Sequence, residues 1–175
     1  LGGGTRVLRK EPIMARNFSM VYQIPPVALL APAADAAGRA SPYRTLKNAA
    51  DKAYIVCHIN QGNAAQVTLT PYQAKDVSGT GAKAINAVPI FLNDATATSD
   101  AFVQQTSAAN FQTDATIADK IVIFEITPDV ALDLVNGYRT IGVTTSASNA
   151  ANITEATLFV LGAIQGASAP TTYSN

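Results

Sequence analysis

Between Lys52 and Ile164, apolar side chains recur at every second position in short runs set apart by glycine, proline and asparagine. That spacing predicts β-strands rather than helices. In KAYIVCHIN, Ala53, Ile55, Cys57 and Ile59 alternate with Tyr54, Val56 and His58. Both faces are mostly apolar, as in a strand covered on two sides or by a neighbouring subunit. QGNAA reads as a turn, and QVTLT (66–70) alternates cleanly before Pro71, which is expected to end it. Further strands are expected in AINAVPIFL (84–92), with Pro89 at an edge or bulge, and in AFVQQ (101–105), KIVIFEI (120–126), YRTIGVTT (138–145) and ATLFVLGAI (156–164). Thr127-Pro128-Asp129 supplies a helix start and Asn136-Gly137 a stop, predicting one short helix over 128–135.

The pattern weakens toward the ends. Residues 14–50 are rich in alanine and proline, with little periodicity beyond a short strand around 19–24, and read as an extended arm. Residues 1–13 are glycine-rich and basic. Lys10-Glu11 can be encoded AAGGAG, the core of a bacterial ribosome-binding site, two codons before Met14. The expectation is a translated leader with Met14 as the natural start, or else a loose basic arm. Residues 51–165 form the domain and 166–175 a flexible tail. The fold class is thus all-β: a β-sandwich or jelly-roll-like domain with one short helix and a Pro/Ala-rich N-terminal arm. NAAQVT (63–68) recurs as NAANIT (149–154), each opening a strand, which hints at two related hairpins set one in each sheet or paired across the sandwich.

Composition narrows the function. Twelve basic and twelve acidic residues cancel, and charged residues make up 14% of the chain, against about a quarter in ordinary soluble proteins. Such an exterior argues against counterion-driven nucleic-acid binding and suits broad protein contacts, where few ions must be desolvated. The longest apolar stretch, residues 24–37, is interrupted by three prolines, so no membrane span is expected.

Little catalytic chemistry is legible. Cys57 and His58 are the single cysteine and histidine. Adjacent strand residues point to opposite faces, so the pair cannot share a proton. The loop SGTGAKA (78–84) lacks phosphate-loop spacing and reads as a turn. Asp94, Asp100, Asp114 and Asp119 lie in polar connections without calcium-loop spacing. No cofactor, metal or small-molecule substrate is expected, and the protein is read as a non-enzyme.

KAYIVCHINQGNAAQVTLTPYQA, GTGAKAI leading to VPIFLND, and TSASNAANITEA together resemble small structural proteins from the head-gene region of tailed bacteriophages, of the capsid-decoration or minor-virion type. The resemblance spans roughly residues 50–162. It implies a β-rich subunit made in the bacterial cytoplasm, located on the virion surface, and bridging neighbouring copies of the major capsid protein. It transfers no individual residue. Partners expected on this reading are the major capsid protein and further copies of the chain, for example a trimer. The partner-facing residues expected from the sequence are Tyr22, Ile24, Val27 and Leu29 on an arm spanning 19–42, and Ile85, Val88 and Ile90 on an edge strand spanning 84–92. A tail-tube or other tail subunit, and a carbohydrate-binding sandwich, are the alternatives.

Overall fold

The computed structural model describes residue 20, residues 24–46 and residues 50–162. The expected leader (1–13), the expected tail (166–175) and Tyr22 lie outside the described residues. The strand expected around 19–24 falls mostly outside them too.

Two antiparallel sheets face each other. The first, sheet A, contains β1 (Val27–Ala34), β4 (Ala50–Gln61), β7 (Val88–Asn93), β8 (Val103–Ala108), β10 (Asp119–Ile126) and β12 (Asn152–Gly162), in the order β1-β12-β4-β10-β7-β8. The second, sheet B, is built on β5 (Thr68–Ala74) and β11 (Thr140–Thr145). The short strands β2 (Arg39–Ala40) and β3 (Arg44–Thr45) pair with the outer side of β11, and β6 (Lys83–Ala84) and β9 (Phe111–Gln112) with the outer side of β5.

Alternation decides which side chains enter the core. Ala53, Ile55, Cys57 and Ile59 of β4, Val122, Phe124 and Ile126 of β10, and Ala156, Leu158 and Val160 of β12 are buried, alternating with outer-face neighbours that are partly buried, or exposed at Asn60. Sheet B answers with Val67, Leu69, Ile141 and Val143, completing one apolar cluster. Burying each such branched side chain stabilises the fold by about 1.5–3 kcal/mol before conformational entropy is charged against it.

The core of the architecture is a folded ribbon. β4 pairs with β12 (Gln61 opposite Asn152) and β5 pairs with β11 (Thr70 opposite Thr144), so residues 50–74 run antiparallel to 140–162 through both sheets. The ribbon crosses between sheets at 62–67 and 146–151, the two segments that carry the repeated NAA motif. There Asn152 Oδ1 accepts from Asn63 N at 2.8 Å, and Asn152 Nδ2 donates to Ala65 O at 2.6 Å. The crossings pack so tightly that a Cβ on Gly62 would lie 2.6 Å from Ala151 O.

Several expectations change. Pro71 does not end its strand: β5 runs on to Ala74. The residues of β5 that exchange backbone hydrogen bonds with β11 are the even-numbered ones, as Ser146 N to Thr68 O shows, so Pro71 points its missing N–H the other way. That outer side carries β9 opposite 68–69 and β6 opposite 72–73, leaving Pro71 in the gap between them. Pro89 sits at a register shift between Val88 and Ile90, the bulge alternative. The helix expected over 128–135 is one α turn, α1 (Pro128–Ala131), then an extended Leu132 buried in the core, then a 3-10 turn (Leu134–Asn136). Asp133 breaks the run by accepting from Asn136 N through its side chain.

The arm expected over 14–50 is corrected for its described part. From Val27 the chain is β1, an edge strand of sheet A, followed by β2 and β3 in sheet B. Leu29 and Leu30 are both buried although adjacent, because a register shift between Ala28 and Leu30 breaks the two-residue period. No helix among the described residues is long and apolar enough to cross a membrane.

Candidate interaction surfaces

The structure first settles the thiol and the imidazole. Cys57 points into the core with no exposure, and burial, aided by the negative charge of Asp35, pushes its pKa up to about 12. His58 points outward, where its Nδ1 lies 3.5 Å from Glu155 Oε1 on the neighbouring strand, both side chains partly open to solvent. Beside them Pro32, Asn60 and Ile153 complete a shallow depression of about 280 Å³. The thiol and the imidazole are therefore on opposite faces of one sheet.

The glycine loop is a turn fastened from below. Asp76 Oδ1 accepts from Ser78 N (3.0 Å) and Thr80 N (3.1 Å); the Thr80 hydroxyl first, and then these amides, hold its carboxyl below the usual range. Tyr138 Oη donates to Gly81 O at 3.0 Å, while Lys83 Nζ stands 4.3 Å over the Tyr138 ring and pairs with Asp133 at 2.7 Å. The Ser78, Gly79 and Thr80 amides and the Lys83 ammonium, the groups best placed to greet a phosphate, are thus engaged by the protein itself. Of the loop aspartates, Asp114 binds Lys120 and the others stand apart; the described residues contain no cluster of three or more acidic, histidine or cysteine side chains placed to hold a metal.

The sequence-predicted interface residues do not assemble. Leu29, Ile85, Val88 and Ile90 are buried in the domain's own core, and Val27 packs against it. Ile24 is partly buried ahead of β1. The cause is strand order: β7 lies between β10 and β8, so it is an interior strand and its apolar face is already used. The edge belongs to β8.

Sequence reasoning undervalued three features. The first is the outer face of sheet A. Register places Thr157, Val56, Ile123 and Phe91 in one row across β12, β4, β10 and β7, with Phe159 opposite Tyr54 in the next row and Ile121 beside His58. All are partly buried; Lys52 forms an ion pair with Glu125 among them, and His58 lies beside Glu155. A solvent-facing sheet surface normally alternates to polar residues; this row stays apolar across β4, β10 and β7 and turns polar at Thr157 of β12. The doubly apolar pattern of 53–59 was its one visible signal.

The second is a buried charge clasp. Asp35, wholly buried, accepts from Arg39 Nε (3.0 Å), Thr145 Oγ1 (2.7 Å) and Thr154 Oγ1, and Arg39 also donates to the carbonyls of Ala31 and Thr154. Thr145 belongs to sheet B and Thr154 to sheet A, so one carboxylate ties both sheets. The third is Lys120, 1% exposed, whose Nζ donates to Gln61 Oε1 (3.1 Å) and Asp114 Oδ1 (2.5 Å). Gln61 Nε2 donates in turn to Asp114 O at 2.7 Å. Both networks leave their buried polar groups paired, so they hold loops rather than await a ligand.

No family model, curated protein or solved structure matches the chain.

Proposed function

We propose that this chain is a non-enzymatic structural subunit of a tailed-phage virion, a decoration protein that seats on the major capsid shell and strengthens it. The observation that carries the reading is the apolar row Val56, Ile123 and Phe91 with its aromatic neighbours Tyr54 and Phe159, spread over three strands of one sheet and β12, and bordered by Thr157, the Lys52–Glu125 ion pair and the His58–Glu155 contact. A flat apolar face of this kind gains by covering, and a low-charge border adds little desolvation cost. A bound subunit stabilises the shell through mass action, by RT ln(1 + [L]/Kd) at each site, and repetition over the shell multiplies a modest contact. The folded ribbon supplies the rigidity such a contact needs. The major capsid protein and further copies of the chain are the partners on this reading.

The test is location. Virions of the encoding phage, separated into heads and tails, are probed for the chain by mass spectrometry. Recovery with heads is the expected result. Recovery with tails alone makes the tail-subunit reading the correct one, and absence from both fractions overturns the virion reading. The adjacent Tyr54 and Phe159 rings give carbohydrate binding its one physical footing; binding to a glycan array by the full chain would favour it instead.

A further inference from the structure

Sheet A ends in two edges that are built differently. The β1 edge is interrupted by register shifts between Ala28 and Leu30 and between Leu30 and Ala33, contains Pro32, and has its Ala31 carbonyl taken by Arg39 at 2.8 Å. Bulges, proline and a charged side chain are the devices that stop a strand edge from recruiting another chain. β8, at the other end, has none of the chemical ones: from Ala101 to Thr113 there is no proline and no charged residue. Val103, Gln104, Thr106 and Ser107 are exposed, and no strand among the described residues pairs with the far side of β8.

We propose that β8 is a self-pairing edge, through which two copies of the chain dock β8 against β8 antiparallel across a two-fold axis, continuing sheet A of one copy into sheet A of the other. A second copy is the occupant because a two-fold axis sets the strand against itself. Any charge on it would face its own kind, and this strand carries none. Gln104, Thr106 and Ser107, all exposed, each both donate and accept, so each can meet its like without leaving a group unpaired, while Gln105 Nε2 donates to Val103 O within the strand. Six residues is an ordinary strand length. The pair is closed rather than open-ended, because a head-to-tail chain would need β8 of one copy to join β1 of the next, and β1 is obstructed. The pairing is a property of the isolated chain and stands or falls separately from capsid binding.

Molar mass of the purified full chain, measured by light scattering across a concentration series, tests it together with charge variants at the two exposed positions of one strand face. The wild type is expected to reach twice the chain mass. Gln104→Lys/Thr106→Lys and Gln104→Glu/Thr106→Glu are each expected to stay at the single mass with unchanged circular dichroism, and their equimolar mixture to regain the double mass. Amide exchange at 103–108 in the wild type is expected to slow as the pair forms, which needs no variant. A wild type that stays at the single mass throughout, or like-charged variants that keep the double mass, would overturn the proposal.

Discussion

Asp35 and Arg39 form an ion pair at the turn between β1 and β2, Nε to Oδ1 at 3.0 Å, with the carboxylate wholly buried and the guanidinium one-fifth exposed. Because Thr145 and Thr154 donate to the same carboxylate, the pair fixes how the two sheets meet beside the ribbon crossings. Removing the carboxylate takes the charge partner from Arg39, which keeps only the Ala31 and Thr154 carbonyls, and the buried acceptor from the Thr145 and Thr154 hydroxyls. Asp35→Ala is expected to lower unfolding free energy by about 3–5 kcal/mol, read as a shift in the urea midpoint. A loss under about 1 kcal/mol would show that the clasp is ornamental.

Lys120 and Asp114 give a second, weaker handle. The Lys120 ammonium holds the Asp114 carboxyl below its ordinary 3.8, helped by Thr116 N. A carboxylate depressed in the folded state binds its proton more readily when unfolded, so its stabilisation is full above 3.8 and is lost as pH falls through the lowered value. Denaturant melts should therefore show stability declining below about pH 4, and Asp114→Ala should flatten that decline. The same variant leaves Lys120 short of a partner, at a cost of about 1–3 kcal/mol near neutrality.

Cys57 should behave as a small apolar residue. Native protein is expected to resist a thiol reagent at pH 8, and to react fully once unfolded, since both exposure and thiolate are lacking in the fold. Rapid labelling of the native chain would show that β4 opens far more readily than its place in the sheet implies.

Gly142 tests the seam between β2 and β3. Ser41 reaches into β11 there, its Oγ accepting from Val143 N at 2.8 Å, and a Cβ on Gly142 would sit 2.9 Å from that oxygen. Gly142→Ala is expected to cost about 1–3 kcal/mol by overpacking, measured by thermal or urea unfolding. An unchanged midpoint would mean that this seam yields freely.

What the sequence revealed and what it hid follow from the same periodicity. β4, β10 and β12 were legible because alternation runs through them unbroken, from Ala53 to Ile59 and from Val122 to Ile126. β1 was hidden because its bulges place Leu29 and Leu30 together in the core, and alanine and Pro32 mute the rest. The misplaced interface has one cause. Alternation says which residues share a face but not which strand lies at an edge, so Val88 and Ile90 read as edge residues while β8 closed the sheet beyond them. Arg39 and Asp114 stand near Asp35 and Lys120 in the chain, but the partners that bury these charges, Thr145, Thr154 and Gln61, lie far away and gave no local signal.

On the proposed function, the outer face of sheet A around Val56, Ile123 and Phe91 meets the capsid shell. The most direct measurement of that contact is co-sedimentation of the purified chain with heads of the encoding phage that lack it, comparing wild type with Val56→Asp/Ile123→Asp. The wild type is expected to pellet with the heads and to raise the temperature at which they rupture, while the variant, folded by circular dichroism, stays in the supernatant. Equal pelleting of both, or of neither, would contradict it.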